Sequence, residues 1–422
     1  MKKSFILLFM FLSVFAFVFA EVEPSVVYDK IDFAYQPTMA RYDAMGQTGL
    51  ALPTRLDSYY TNPATLGAKR GFALNVPTLS FTFYNLQKLV SDPVAMDEFN
   101  NIIKGDATDS ETKDFAATIL NNLGSGHNVA FKLDAGIGVK IGILGLSTNM
   151  QIKMHSLNTG SSLSTQNLIP EVNLAQTAAV GLRFINTDAL SLSAGVSVHG
   201  VYKAYYKGID APKILEILTS DDPATTLLWG SPVMGGWAVP FDVGVTFGLF
   251  RDQFTIAATA NNLNGTYHMK SYSGAGYLIN SFSEGAVSVP EDAPEKKDSV
   301  DFTVETPWSL NFGFAFAPDI DVIQPVITAD LIDMFELIKS FNSETFRASD
   351  LLLHLNLGAE LGLFQIVKAR IGINRGYMSL GAAIWLPFME IDCSYGWQEF
   401  GLELGDKPVD SFTVKFSIGY DK

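Results

Sequence analysis

Only one cysteine, Cys393, occurs in 422 residues. That excludes an intrachain disulfide framework and any metal site built from several thiolates. Charge is scarce as well: Asp, Glu, Lys and Arg make up 17% of the chain, against roughly 25% in soluble domains. Positive charge is the scarcer sign, with 29 Lys and Arg against 44 Asp and Glu and a formal net charge of −15. The chain therefore lacks the basic face that a phosphate backbone requires, and no nucleic-acid partner is expected. No GxxxxGK[ST] phosphate loop occurs. The histidines, His127, His155, His199, His268 and His354, show no ligand spacing, so neither a metal nor a cofactor is expected. No apolar run of 18 or more residues appears, which disfavours helical membrane spans. What is abundant is glycine (35), phenylalanine (31) and aromatic residues overall (12%), with a mean hydropathy of +0.19. This composition points to contact with lipid without helical spans.

The N-terminus reads as an export signal over residues 1–20. Lys2 and Lys3 form a positive start, Phe5–Phe19 an uncharged apolar stretch, and Val18-Phe19-Ala20 a cleavage site before Glu21. No cysteine at the cut offers a lipid anchor.

Period two runs through the rest. Val129, Phe131, Leu133, Ala135, Ile137, Val139 and Ile141 alternate with polar or small residues, among them Lys132, Asp134 and Lys140. Leu355, Leu357, Ala359, Leu361 and Leu363 alternate with Asn356, Gly358, Glu360 and Gly362. Such a strand has one apolar and one polar face. Many of these segments reach ten or more residues, and about 9–11 tilted residues cross a hydrocarbon layer. The pattern predicts fourteen strands: Gly71–Tyr84, Asn128–Ile141, Ile143–His155, Asn173–Phe184, Ala189–Tyr205, Trp237–Leu249, Phe254–His268, Thr306–Ala317, Ile320–Asp333, Leu351–Leu363, Val367–Asn374, Met378–Leu386, Met389–Phe400 and Phe412–Tyr420. Short connections such as Gly142, Pro318-Asp319 and Pro387-Phe388 alternate with long ones such as Asn85–His127 and Met269–Glu305. An even strand count with short turns at one end and long loops at the other is the layout of an outer-membrane barrel. The expected class is all-β: a fourteen-stranded antiparallel transmembrane β-barrel over 71–422. Pro77 should force a bulge that switches faces in the first strand, and Pro325 should do the same in the ninth. The inward face should carry Lys132, Asp134, Lys140, Lys153, Arg183, Asp242, Glu360, Lys368, Arg370, Glu390, Asp392 and Lys415.

Residues 21–70 lack sustained alternation and suit a plug for the lumen. They contain Ala44-Met45-Gly46, Gly49, and Asn62-Pro63-Ala64-Thr65-Leu66. This order resembles the N-terminal hatch of the outer-membrane long-chain fatty acid transporter (FadL) family. Ala258–Leu263, Thr306–Leu310 and Glu390–Tyr395 are similar to segments of FadL-like and PorV-like relatives. The resemblance implies a monomeric barrel in the outer membrane of a diderm bacterium. It implies a hatch built around Gly46, Gly49, Asn62, Pro63 and Ala64, and hydrophobic cargo such as fatty acids. It places outer-membrane lipid around the wall.

The long loops are amphipathic in places, as at Met96–Ile103, Phe115–Leu123 and Ile214–Leu218. Leu228, Trp229 and Trp237 are candidates for an apolar ligand groove. Arg183 and Arg370 are the inward arginines able to make a forked contact with a ligand carboxylate. Three functions compete: a transporter of hydrophobic small molecules, a non-transporting scaffold or shuttle for a secretion machine, as in PorV-like relatives, and a barrel enzyme. No catalytic residue is expected, since a hydrolase would need a Ser-His-acid cluster in contact.

Overall fold

Alternating side chains become fourteen antiparallel strands because closure pairs every backbone N–H and C=O while one face meets lipid. The computed structural model describes residues 34–421, apart from 54–55, 69–70, 105–107, 109, 112–113, 116, 119–125, 159–165, 208, 211–227, 230–231, 292, 294, 321, 342–346, 348–350, 365 and 401–403. The signal expected over 1–20, the start of the hatch at 21–33 and the loop segment Ile214–Leu218 lie outside the described residues. The strands are β1 (Phe72–Tyr84), β2 (Gly126–Ile141), β3 (Leu144–Asn158), β4 (Gln166–Asn186), β5 (Leu190–Tyr206), β6 (Val233–Ala238 with Phe241–Leu249), β7 (Phe254–Leu263 with Thr266–Tyr272), β8 (Asp301–Glu305 with Ser309–Phe316), β9 (Ile323–Leu331), β10 (Leu355–Leu363), β11 (Val367–Asn374), β12 (Tyr377–Leu386), β13 (Met389–Glu399) and β14 (Pro408–Asp421). Each pairs with its chain neighbours, and β1 pairs with β14 to close the barrel. A two-residue bridge, Ile209–Asp210, adds to the long-loop end of β4.

The strands differ from expectation mainly at their long-loop ends. β4 begins at Gln166 and spans 21 residues, and β5 spans 17. Both exceed the ~9–11 residues a bilayer requires, so this side of the wall stands above the membrane. β10 begins at Leu355 rather than Leu351, because Leu351 and Leu352 are helical.

Face parity follows the sequence. Leu357 and Leu361 are exposed on the outside of β10, while Asn356 and Glu360 are buried inside. Pro77 produces the anticipated bulge: pairing jumps from Asn75↔Gly419 to Thr78↔Ser417, and from Asn75↔Gly138 to Thr78↔Gly136. The extra residue turns Leu79, Phe81 and Phe83 to the outer face already held by Phe72 and Val76. Pro325 does not behave this way. The β9–β10 register is unbroken from Ile323↔Leu363 to Leu331↔Leu355. The β8 ladder stops at Phe316↔Ile327, so the N–H that Pro325 lacks leaves no gap in it.

Exposed Phe184, Phe250, Phe364 and Phe388 ring the short-turn end, as aromatic girdles do at membrane interfaces. Ile371 lies on the outer face above them. Ile371→Arg should destabilise the barrel by about 2–4 kcal/mol if it sits near the midplane, and Phe364→Arg at the interface by about 0–1 kcal/mol. Urea unfolding in phospholipid vesicles reads both; equal losses would show that the outer band is not in lipid.

Candidate functional site

The described residues of 34–68 fold inside the barrel lumen. The short helices Ala40–Ala44 and Ser58–Thr61 are followed by a 3₁₀ turn, Pro63–Gly67. None is long enough to be stable alone, so the wall holds them. Pro63 at the start of the turn has no N–H to satisfy, and the Asn62 side chain accepts from the Ala64 N–H at 3.0 Å. The other end of the Asn62 amide donates to the Leu50 carbonyl at 2.8 Å. The Asn-Pro-Ala motif thus ties two parts of the plug together.

The wall meets the plug with inward polar groups. The Gly49 and Leu50 N–H groups donate to Asp330 on β9 at 2.7 and 3.1 Å. Thr38 donates from both its N–H and its hydroxyl to Asp134 on β2, at 3.2 and 2.5 Å. Arg41 forks onto Glu360 of β10 with two contacts of 2.9 Å. Burial raises the Asp43 carboxyl above its ordinary range, with Lys132 and Lys415 pulling it back. Close approach also needs glycine in the wall. Gly372 lies directly against the backbone of Met45 and Gly46, and Gly46 itself has φ +67°. Across the lumen, Gly181 and Gly195 lie against the backbone at Pro63. A side chain at either contact would collide with peptide atoms.

Both candidate arginines are committed to the chain's own carboxylates. Arg370 is fully buried, with Nε 2.6 Å from Glu360 and Nη1 2.6 and 2.7 Å from Asp392. Lys368 lies 3.6 Å from Glu360. Arg183 lies near the short-turn end of β4, with contacts of 2.5 Å to Asp252 and 2.9 Å to Asn186. Trp237 faces outward, 54% exposed, its ring 5.3 Å from that of His268. Trp229 is buried against Gly276 and Tyr277 of the loop helix Ala275–Phe282. Leu228 packs into the same cluster with Val233 and Leu278. The expected groove residues are therefore divided between a filled loop cluster and the outer wall.

Sequence reasoning missed two features. One is an apolar and aromatic cluster buried on the inner side of the wall above the plug. Ile169, Ala175, Val201, Tyr205, Ala238, Tyr267 and Met269 form its centre, and Tyr35 of the plug packs against it. Lys203 lies 4.7 Å over the Tyr267 ring, and Lys153 lies 3.9 Å from the buried Glu171. The cluster was hidden because these members are one or two inward positions on each of four strands, with Tyr35 of the plug, each unremarkable in its own segment.

The other is a network around His199, which sits against the plug. The Tyr60 ring stacks on His199 at 5.4 Å, and its hydroxyl meets Ser147, Asn149 and Thr177 at 2.8, 2.6 and 3.1 Å. His199 Nε2 is 3.0 Å from Asp242 and 3.2 Å from Ser197, and Nδ1 is 2.9 Å from Thr177. Ser197 and Asp242 share one ring nitrogen, whereas a hydrolase triad holds the acid on the opposite one. Asp242 also accepts the Asn262 N–H at 2.7 Å. Asn262 in turn donates to Thr306 and Pro307, where β8 is interrupted. The plug is thus joined to the level at which β6, β7 and β8 all break. The pair Asn261-Asn262 within a strand, with Pro240 and Pro307 at matching heights, was the available signal.

Neither protein-family models nor curated proteins give a match to this chain. Solved structures do. The Pseudomonas putida toluene transporter TodX is similar, with a TM-score of 0.44 and 10% identity over 92% of this chain and 99% of that one. A Pseudomonas aeruginosa FadL homologue has a TM-score of 0.45 and 12% identity over 92% and 99%. The Ralstonia pickettii toluene transporter TbuX has a TM-score of 0.42 and 14% identity over 91% and 97%.

Proposed function

We propose that this protein is an outer-membrane transporter that takes up hydrophobic small molecules, long-chain fatty acids among them, past a plug in the barrel lumen. The observation that carries the reading is a plugged lumen whose wall holds an apolar, aromatic cluster against which Tyr35 of the plug packs. The central residues of that cluster are buried, so an acyl tail would reach them only as Tyr35 and the plug give way; removing such a tail from water is worth about 25 cal/mol per Å². The cations bordering the cluster are Lys203, over the Tyr267 ring, and Lys153, beside Glu171, whereas Arg183 and Arg370 lie elsewhere, against Asp252 and against Glu360 and Asp392.

Vesicles carrying the wild-type protein should take up labelled oleate faster than empty vesicles. Lys203→Ala should weaken oleate binding by about 1–3 kcal/mol, as for a charged hydrogen-bonded partner, and binding of a neutral hydrocarbon of equal length by much less. Absence of uptake by the wild type would overturn transport and favour the scaffold reading. Equal losses for the two ligands would remove Lys203 from the carboxylate contact.

A further inference from the structure

A second apolar site lies outside the lumen. A depression of about 710 Å³ crosses the outer face of the wall from Pro77 on β1 to Val239 on β6. Two rows of paired residues define it. The upper row is Met150, Leu174, Tyr202 and Trp237. The lower row is Ile137, Thr148, Gln176 and Gly200. All face away from the lumen. Behind them, Ala175, Val201 and Ala238 are each 1% exposed within the inner patch, so the depression is sealed from the lumen.

Its floor is Gly200, where an added side chain would meet open space, with only the Gln176 carbonyl within 4 Å, at 3.9 Å. Beside that floor stand the Gln176 amide and the Thr148 hydroxyl. Both are exposed on the lipid face, and neither hydrogen-bonds to any described residue. An amide left without a partner in hydrocarbon is unfavourable, so these groups call for a polar partner from the membrane. Depth identifies its kind. Gln176 lies two residues along β4 from Leu174, in the row just beneath Trp237 and Tyr202. Exposed Trp237 and its neighbour His268 mark the aqueous interface at the long-loop end, where such rings sit. Ester carbonyls of a membrane lipid lie directly beneath that level, with acyl chains below them.

We propose that this depression binds a single membrane lipid, its acyl chain lying over Gly200 and an ester carbonyl accepting from the Gln176 amide. The site is independent of the transport reading. Protein reconstituted in vesicles of dioleoyl phosphatidylethanolamine, then re-extracted in mild detergent, should retain a single phospholipid by native mass spectrometry. Gly200→Leu fills the floor and should lower that occupancy by about ten-fold or more, equivalent to about 1.4 kcal/mol. Gln176→Leu keeps the apolar surface, removes the donor and should also lower it. Heat-modifiable migration on gels establishes that each variant is folded, and Gln176→Leu decides alone if Gly200→Leu fails to fold. A wild type without retained lipid, or variants that retain it fully, would overturn the proposal. Retention of added free oleate in preference to the phospholipid would overturn it too, by making the depression a cargo site.

Discussion

Arg370→Ala is expected to destabilise the barrel by about 3–5 kcal/mol, the range for removing one partner of a buried ion pair. Arg370 bridges Glu360 and Asp392 from a position with no exposed side-chain surface. Glu360 would keep Arg41 and Lys368, whereas Asp392 has no other ion pair among the described residues, so most of the loss falls there. Arg370→Lys should restore only part of it, because one ammonium cannot reproduce a planar fork between two carboxylates. The double variant Arg370→Met with Asp392→Leu should recover more than either single change, since well-packed apolar replacements of buried pairs are often neutral. Urea unfolding in vesicles measures all three. A loss below about 1 kcal/mol for Arg370→Ala would mean that the pair is hydrated like a surface one.

The second large effect is expected at the seat of the plug. A side chain on Gly372 would occupy the space of the Gly46 amide and the Met45 carbonyl carbon. Because the obstruction is backbone, rotamer changes cannot relieve it. Gly372→Val should therefore cost at least the ~1–3 kcal/mol of an overpacked core and should lift the Met45–Gly49 region from the wall. The outcome to look for is faster hydrogen exchange at Gly49 and Leu50, whose N–H groups are held by Asp330, together with ion conductance through planar bilayers. Unchanged exchange at these amides would show that the plug does not depend on this contact. Arg41→Ala removes a side-chain link but no backbone fit, so its exchange effect should be smaller.

Much of the barrel was legible in the chain. Lipid outside and polar groups inside impose period two on every strand, so Leu357 and Glu360 could be assigned to opposite faces from their spacing alone. The bulge at Pro77 was equally plain, because the parity of the flanking apolar residues changes across it. Pro325 misled because proline disturbs a ladder only where a neighbouring strand is present to be disturbed. The lack of alternation ahead of the barrel suits a plug, and the resemblance of Gly46, Gly49 and the Asn62-Pro63-Ala64 motif to a family hatch points to the same segment.

The candidate site was far less legible. Arginine on an inward position looks free to bind a ligand carboxylate until its neighbours are known, and for Arg370 those neighbours are Glu360 on β10 and Asp392 on β13. Trp237 reads as part of an apolar loop groove, yet it faces outward from the wall. The sequence by itself determined the closed barrel, its outward apolar face and the presence of a plug, because these follow from local periodicity and composition. Tertiary structure alone decided which charges are committed, where inward apolar residues meet and how the plug is seated. Those properties depend on contacts such as Arg41 with Glu360, 319 positions apart, and no local pattern encodes a distance that only barrel closure creates.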